Sequence, residues 1–140
     1  MAKILIVDDD PLIVRMYEKK LVNDGYEVRT ASDGIEALKN FESFVSEGFS
    51  PDIILLDIMM PNMNGLQVLE KLKANEKTDK IPVIMLTNIG GFEEDAEKAL
   101  EMGAVAYLTK AGIRPAKVVS KIKEILAGYV REVPKAVPTN

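Results

Sequence analysis

The sequence predicts an α/β fold, in which a five-stranded parallel sheet is doubly wound so that helices cover both faces. One observation is a set of five short stretches rich in Ile, Val and Leu, at residues 4–7, 28–31, 53–56, 83–86 and 104–108. Their apolar character is continuous rather than alternating, which is typical of strands buried on both faces. A second observation is that amphipathic segments separate these stretches, so strand and helix alternate along the chain.

The first two helices are predicted from apolar stripes that follow the first and second strands. After the first strand, one face of a helix that stops near Asp24 carries Ile13, Met16, Tyr17 and Leu21. After the second strand, a similar stripe runs through Ile35, Leu38, Phe41 and Val45. Each stripe predicts a helix that packs one face against the sheet.

The remaining three helices each have a signal at one end. The third follows Gly65 and has the stripe Leu66, Leu69 and Leu72. The fourth spans residues 92–102, begins with acidic residues that suit a helix N-terminus, and ends at Gly103. The fifth begins near Pro115, which the first turn of a helix tolerates, and its apolar face comprises Val118, Val119, Ile122, Ile125 and Leu126.

We expect one domain over residues 1–128 and a C-terminal tail over residues 129–140. A length of 140 residues suits a single domain of this class. The tail contains Pro134 and Pro138 and has no helical period, so we expect disorder or a short extension of the last helix. We find no linker to a second domain and no internal repeat, which favours a protein that acts alone.

The composition excludes several classes of function. Cysteine and histidine are absent, so the chain cannot form a disulfide, a thiolate or imidazole zinc site, or a Ser-His-Asp triad. A net charge of −4 argues against direct binding to nucleic acid, which requires a basic face. The longest apolar run, 104–108, is too short to span a membrane, and no secretory segment follows Met1. We therefore expect a soluble, cytoplasmic protein that uses carboxylate, hydroxyl and lysine chemistry.

Polar side chains follow the predicted strands at the edge where open parallel sheets bind ligands. The first strand is followed by Asp8, Asp9 and Asp10, and the third, fourth and fifth by Asp57, Thr87 and Lys110. Any one of these residues could instead cap a helix. Asp57 differs, because apolar residues flank it on both sides and place its charge against the core. A divalent cation and Lys110 can compensate that charge.

This edge of the sheet has the residue types that Mg²⁺-dependent phosphoryl transfer requires. Mg²⁺ prefers a few carboxylates, a backbone carbonyl and water as ligands, and the sequence has no calcium-loop motif. An ionised aspartate is a competent nucleophile that needs no histidine base. The transfer itself requires mainly positioning and charge stabilisation, for which a metal, a lysine and a hydroxyl donor suffice. Asp57, Lys110 and Thr87 form such a set with the metal.

The chain resembles the receiver domain of bacterial two-component response regulators, including those that act alone in chemotaxis. The resemblance covers residues 3 to about 126. Its motifs are ILIVDDD at 4–10, PDIILLDIMMPNMNG at 51–65, PVIMLT at 82–87, and Gly103-Ala104 leading to Tyr107 and Lys110. It implies a flavodoxin-like sheet with the strand order 2-1-3-4-5, and a phosphoprotein that takes part in phosphorelay signal transduction.

The resemblance implies roles for the residues at the acidic edge. Asp57 would accept a phosphoryl group from a phosphohistidine on a sensor histidine kinase or a histidine phosphotransfer protein, forming a phosphoaspartate. Asp8, Asp9, Asp57 and the backbone carbonyl of Met59 would hold Mg²⁺. Lys110 would pair with the phosphoryl oxygens. The chain would then be a signalling module, with no enzymatic activity beyond its own phosphorylation and dephosphorylation.

The resemblance also implies a switch that changes protein partners. Thr87 would bond the new phosphate and Tyr107 would change rotamer, which alters the surface of the fourth helix, fifth strand and fifth helix. Leu12 and Val14 lie off the apolar stripe of the first helix, so we expect them to be exposed and to contact a kinase. The downstream protein target is unknown, and the protein is expected to be a monomer or to dimerise on phosphorylation.

Four positions depart from the receiver pattern. Ala111 follows Lys110 where the family usually has a cis proline, and a cis bond here would cost about 3–4 kcal/mol. We therefore predict a trans bond or a reshaped loop. Asn88 replaces a small residue and narrows access to the site. Met59 and Ile89 are apolar at positions that influence acyl phosphate hydrolysis in the family, so we predict a long-lived phosphoryl group.

Two alternative functions stay open at this point. A Mg²⁺-dependent phosphohydrolase also uses an aspartate nucleophile after a strand, but it requires a second aspartate two positions later, where Met59 stands. A degenerate receiver would bind proteins without being phosphorylated, which the unusual Lys110-Ala111 step allows. A dinucleotide-binding Rossmann domain is excluded, because three aspartates replace the glycine-rich loop after the first strand.

Overall fold

The computed structural model describes residues 2–87, 93–109 and 115–128. Its strands are β1 (Lys3–Val7), β2 (Glu27–Ala31), β3 (Ile53–Asp57), β4 (Val83–Thr87) and β5 (Ala106–Thr109). Its helices are α1 (Pro11–Asn23), α2 (Gly34–Ser46), α3 (Gly65–Ala74), α4 (Glu93–Glu101) and α5 (Pro115–Leu126). All strand pairs are parallel and the order is β2-β1-β3-β4-β5, so the predicted fold class and strand order are confirmed.

The strands lie where the apolar stretches predict them, and β5 shows the largest difference. This strand begins at Ala106, although its apolar run begins at Ala104. Gly103 follows α4 with a left-handed backbone (φ 117°), and the Ala104 amide donates to the Ala99 carbonyl oxygen at 2.9 Å. Ala104 therefore belongs to the turn that closes the helix.

The sheet separates two apolar layers, because alternate residues of a strand face opposite sides. In β1, Leu5 and Val7 belong to the layer under α2, α3 and α4, whereas Ile4 and Ile6 belong to the layer under α1 and α5. The residues of β3 divide in the same way, and all five are buried. β1 and β3 are thus central strands covered on both sides, and their carboxyl ends lie next to each other.

The apolar stripe predicted for α2 is wrong at two of its four positions. Ile35 and Val45 are exposed. The residues that α2 buries are Gly34, Ala37 and Phe41. Small residues are needed at the start of this helix, because a Cβ atom on Gly34 would lie 2.3 Å from a methyl carbon of Val68 in α3. The close packing of α2 on α3 thus decides which face of α2 is buried.

Side-chain caps stabilise the first turns of α2 and α3. The Asp33 carboxylate accepts a hydrogen bond from the Glu36 amide at 2.8 Å at the start of α2. At the start of α3, Asn64 and Gln67 form a capping box, in which each side chain accepts from the other residue's amide, at 2.9 and 3.0 Å. These caps compensate amides that have no partner within the helix.

Two predictions concern a membrane span and the C-terminal tail. Among the described residues, no helix combines the length and apolar character that a membrane span needs. The predicted tail, 129–140, lies outside the described residues. The boundary of the domain at residue 128 therefore stays a prediction.

Candidate functional site

The strand order brings Asp8 and Asp57 together at the centre of the sheet. Asp57 is the last residue of β3 and Asp8 directly follows β1, its parallel neighbour. Both residues are 1% exposed, whereas Asp9 is exposed. One carboxylate oxygen from each of Asp8, Asp9 and Asp57 lies within 4.8 Å of the other two. The three side chains predicted to bind metal therefore form one cluster.

Backbone amides orient the two buried carboxylates. Oδ1 of Asp8 accepts a hydrogen bond from the Asp10 amide at 2.9 Å. Oδ1 of Asp57 accepts one from the Met59 amide at 3.2 Å. The backbone of Asp8 is itself held, because its amide donates to the Ala31 carbonyl oxygen of β2 at 3.1 Å. These bonds fix the direction in which each carboxylate faces.

Asp10 has a different function from the two aspartates that precede it. Its side chain caps α1, because it accepts hydrogen bonds from the amides of Leu12 and Ile13 at 3.0 and 3.4 Å. The cluster of possible metal ligands includes Asp8 and Asp9 but not Asp10. Asp10 therefore connects the first turn of α1 to the acidic cluster, because its side chain caps the helix and its amide donates to Asp8.

The loop between Asp57 and α3 packs tightly against the backbone of Asp57. A Cβ atom on Gly65 would lie 2.2 Å from the Asp57 carbonyl oxygen, so no larger residue fits without movement. In the same loop, Asn62 has a left-handed backbone (φ 68°), which Asn tolerates better than most residues. Neither residue is a predicted site residue. The turn-forming residues in PNMNG at 61–65 are the signal that could have identified them.

The cluster is suited to a small divalent cation. Its three carboxylates repel one another at these distances, and two of them are removed from water, so positive charge stabilises the arrangement. All of the donor atoms are oxygens, which Mg²⁺ prefers. Exposure of Asp9 leaves one side of the cluster open to solvent, as an ion that keeps water ligands requires. The donor set therefore fits Mg²⁺.

Thr87 is the last residue of β4, which lies beside β3, and Lys110 follows β5, the next strand of the sheet. Leu86 of β4 pairs with Asp57, so Thr87 lies one residue beyond the partner of Asp57 at the same edge. Thr109, the last residue of β5, pairs with Thr87 and directly precedes Lys110. The Thr87 side chain, Asn88, Ile89 and the Lys110-Ala111 bond lie outside the described residues. Predictions about these groups therefore stay predictions.

Tyr107 lies within the sheet's apolar layer beneath α4. It is on β5, is nearly buried, and belongs to the same apolar cluster as Ala96, Ala99 and Leu100 of α4. Its neighbour across the ladder is Met85 of β4. A change in the rotamer of Tyr107 would therefore alter the packing of α4 against the sheet.

Leu12 and Val14 differ in exposure, and the expectation that both are exposed is wrong for Val14. Leu12 is 74% exposed, whereas Val14 is half-buried and packs against the layer under α1 and α5. The physical reason is that residues two apart in a helix point in nearly opposite directions. Val14 also lines a cavity of about 420 Å³, together with Asp8, Asp9, Pro11, Thr30 and Glu36. This cavity forms where α1 meets the end of β2, a contact that the sequence pattern does not specify.

Comparisons with known sequences show similarity over most of the chain. A sequence model described as "Response regulator receiver domain" matches residues 4–123. The response regulator PleD of Caulobacter vibrioides is 46% identical over 109 residues, which are 78% of this chain and 23% of that protein. The alkaline phosphatase synthesis transcriptional regulatory protein PhoP of Bacillus subtilis is 40% identical over 126 residues, 89% of this chain and 48% of that protein. The chain thus spans a quarter to a half of the length of these relatives.

Solved structures agree with the sequence comparison. A putative response regulator from Chloroflexus aurantiacus has a TM-score of 0.79 at 33% identity, covering 90% of this chain and 98% of that one. For the chemotaxis protein CheY4 of Vibrio cholerae, the TM-score is 0.76 at 30% identity, covering 89% and 98%. Receiver domains are signalling modules that interact with histidine kinases and downstream targets, and they generally bind Mg²⁺ through an acidic pocket. This chain belongs to the family of response regulator receiver domains of two-component systems.

Proposed function

We propose that this receiver is a phosphorylation-dependent switch in which Asp57 accepts a phosphoryl group in a Mg²⁺-dependent reaction. The observation that carries the proposal is the cluster of Asp8, Asp9 and Asp57, with carboxylate oxygens within 4.8 Å of one another. The donor is a phosphohistidine on a sensor histidine kinase or a histidine phosphotransfer protein. A small phosphodonor such as acetyl phosphate reacts at the same carboxylate.

Asp57 acts as the nucleophile. Its Oδ1 atom accepts a hydrogen bond from the Met59 amide at 3.2 Å, which orients the carboxylate for attack on phosphorus. A P–O bond forms while the P–N bond to the donor imidazole breaks, and the electron pair of that bond leaves with the imidazole nitrogen. Such a transfer depends mainly on alignment and charge stabilisation. Burial of Asp57 favours alignment, because it restricts the carboxylate. It also favours charge stabilisation, because it excludes competing water.

Asp8, Asp9, Asp57 and the Met59 carbonyl would hold Mg²⁺. When bound, the ion supplies positive charge that offsets the carboxylates and the phosphoryl oxygens. Asp8 offers an oriented ligand, because the Asp10 amide holds its other oxygen. Met59 would contribute twice, since its amide orients Asp57 and its carbonyl oxygen would be a ligand of the ion.

Lys110 and Thr87 are assigned to the phosphoryl oxygens. Support for Thr87 is the register of β4, in which Leu86 lies opposite Asp57 and Thr87 is the next residue. The Lys110 ammonium offsets charge that develops on the phosphoryl group, and the Thr87 hydroxyl donates to the new phosphate. Tyr107 then changes rotamer beneath α4. The affinity of the receiver for partner proteins then depends on the fraction of molecules in the conformation that this rotamer change produces.

The proposed contact with the phosphodonor protein is centred on Leu12. Leu12 is 74% exposed and lies two residues from Asp10, whose amide orients Asp8, so an apolar contact at Leu12 would form beside the acidic cluster. Val14 contributes at the wall of the adjacent cavity. Replacing Leu12 with Asp should lower the rate of transfer from a histidine kinase relative to the rate from acetyl phosphate. An equal effect on both rates would contradict this contact.

We also propose that the phosphoryl group on Asp57 is long-lived. Hydrolysis of an acyl phosphate is accelerated when a side chain orients the attacking water. Met59 and Ile89 are both apolar and cannot do so by hydrogen bonding. Rapid loss of phosphate from the purified protein, once the donor has been removed, would contradict this proposal.

Intact mass after incubation with acetyl phosphate and Mg²⁺ tests the proposed function directly. The samples are the wild type, the Asp57→Asn variant and wild type with a chelator. We expect one phosphoryl group on the wild type alone. If the wild type gains none, even with a purified histidine kinase, the proposal fails and a receiver that binds proteins without phosphorylation is favoured.

A further inference from the structure

We propose that Met59 is oxidised by hydroperoxides and that its sulfoxide shortens the lifetime of the phosphoryl group on Asp57. The inference rests on the proposed phosphoacceptor role of Asp57 and concerns the regulation of the same site. It would connect the duration of the signal to the oxidant concentration around the protein. Sulfoxide reductases could then restore the original thioether.

Met59 is the most exposed methionine in the part of the chain that the structure describes. It is 44% exposed and Met16 is 38% exposed, whereas the other described methionines are buried or half-buried. Oxidation of a thioether requires the oxidant to reach the sulfur itself. Exposure therefore favours Met59, and Met16 provides a comparison within the same molecule.

Met59 also lies beside the nucleophile. Its amide nitrogen donates to Oδ1 of Asp57 at 3.2 Å. Only four bonds separate that nitrogen from the sulfur, so the sulfur lies within about 9 Å of the carboxylate in any rotamer. Asp57 is 1% exposed, so a water molecule can approach its phosphoryl group only from the open side of the site. The Met59 side chain, 44% exposed, is in contact with solvent at this short distance from the carboxylate.

Oxidation converts this apolar neighbour into a hydrogen-bond acceptor. The sulfur lone pair forms an S–O bond with one oxygen of hydrogen peroxide, and the O–O bond breaks. The departing hydroxide takes the proton of the sulfur-bound hydroxyl and leaves as water. The sulfoxide oxygen can accept a hydrogen bond from a water molecule, which the thioether does only weakly. That oriented water attacks phosphorus, the bond to the Asp57 carboxylate breaks, and inorganic phosphate leaves.

The test compares four proteins before and after brief treatment with hydrogen peroxide: wild type, Met59→Leu, Met59→Gln and Met16→Leu. Peptide mapping by mass spectrometry identifies the methionine that gains oxygen. Each protein is then phosphorylated with acetyl phosphate and Mg²⁺, the donor is removed, and the decay is followed by intact mass. Leucine matches methionine in size but cannot be oxidised. Glutamine supplies a permanent acceptor of similar length.

We expect Met59 to be oxidised faster than Met16. The phosphoryl lifetime of the wild type should then shorten about three- to tenfold, the size of one hydrogen bond's contribution. Met16→Leu should respond as the wild type does, and Met59→Leu should not respond to peroxide. Met59→Gln should lose phosphate faster than Met59→Leu without any treatment.

Three results would overturn the inference: oxidation of Met59 that is no faster than that of Met16, a lifetime that peroxide leaves unchanged, or equal sensitivity in Met59→Leu. Failure of the untreated wild type to accept a phosphoryl group would refute the proposed function and this inference with it. That failure is recognisable because it is observed before any peroxide is added.

Discussion

The two ends of the parallel sheet hold their buried polar groups in opposite ways. At the carboxyl end, Asp8 directly follows β1 and Asp57 ends β3, and carboxylates of the same charge lie within 4.8 Å of one another. At the amino end, α3 stops and the chain turns into β4. There, the Thr78 hydroxyl and the Lys73 ammonium are donors, and both donate to backbone carbonyls.

The amino end shows how such groups are compensated. The buried Thr78 hydroxyl donates to the carbonyl oxygens of Leu72 and Asn75, at 2.5 and 3.3 Å, and thereby closes the last turn of α3. The Lys73 ammonium donates to the Asp79 and Ile81 carbonyls, at 2.9 and 3.1 Å. Tyr26 precedes β2 at this end, and burial, followed by the nearby carboxylate of Asp24, raises the pKa of its phenol.

The difference between the two ends of the sheet indicates which end stabilises the fold and which end carries the proposed function. Donor-to-carbonyl bonds at the amino end stabilise the fold without any ligand. The carboxyl end brings like charges together, which opposes folding until a cation or a positive side chain offsets them. We therefore expect substitutions at the amino end to change stability alone, and substitutions at the carboxyl end to change phosphorylation.

Asp57→Asn should have the largest effect on function and the opposite effect on stability. The amide is not a competent nucleophile, so acetyl phosphate should add no phosphoryl group to the variant. Loss of one of three like charges should raise the free energy of unfolding of the metal-free protein by about 1 kcal/mol. Intact mass and urea unfolding with a chelator measure the two effects. A less stable variant would contradict the comparison.

Gly65→Ala should lower stability by about 3 kcal/mol, because its Cβ would lie 2.2 Å from the Asp57 carbonyl oxygen. Since relief of this clash displaces the nucleophile, phosphorylation should slow by at least about tenfold. Gly48→Ala is a comparison in which the cost comes from the backbone alone. Unlike Gly65, Gly48 has a left-handed backbone (φ 87°), and nothing lies within 4 Å of its Cβ position, so we expect a loss of only about 1–2 kcal/mol. Equal losses in both variants would show that the contact with Asp57 is unimportant.

Thr78→Val should lower the free energy of unfolding by about 1–2 kcal/mol, because the closing bonds to the last turn of α3 are lost. Thr78→Ser keeps the hydroxyl and should lose less. The phosphorylation rate with acetyl phosphate should be unchanged in both variants, since this residue lies at the opposite end of the sheet. A slower rate in Thr78→Val would mean that the two ends are coupled.

The features predictable from sequence are those that depend on short local patterns. Asp8 and Asp57 each end an apolar run, and parallel strands bring such ends to one edge, so their proximity follows from the sequence. The five strands are also predictable from local patterns, because each corresponds to one short apolar stretch. The structure adds distances and burial to these residues, but it changes none of their positions at that edge.

Features that depend on how neighbouring elements pack were not predictable in this way. The buried face of α2 is decided by the contact between Gly34 and Val68, which are far apart in sequence. The constraint on Gly65 comes from the path of the backbone at Asp57. Val14 is half-buried because it packs against the apolar layer that lies between the sheet and the helices α1 and α5. In each case the periodicity of one segment carries no information about the atoms on the other side of the contact.

Mg²⁺ should stabilise the protein through its carboxyl end. At a concentration ten times its dissociation constant, a ligand that binds only the folded state adds about 1.4 kcal/mol to the free energy of unfolding. Asp9→Asn should weaken this effect, because it removes one ligand from the cluster. Thermal unfolding over a Mg²⁺ titration, with ionic strength held constant by NaCl, measures it. Equal stabilisation of the variant and the wild type would show that Asp9 is not a ligand.

Substitutions of Asn62 should have the smallest effect on stability. Asparagine adopts the left-handed backbone at this position (φ 68°) at a lower conformational cost than most residues. Asn62→Ala should lower stability by about 1 kcal/mol, whereas Asn62→Gly should change it by less than about 0.5 kcal/mol. Since glycine keeps the loop conformation, phosphorylation with acetyl phosphate should continue in that variant. A large loss in Asn62→Gly would mean that the side chain, and not the backbone conformation, holds the loop between Asp57 and α3.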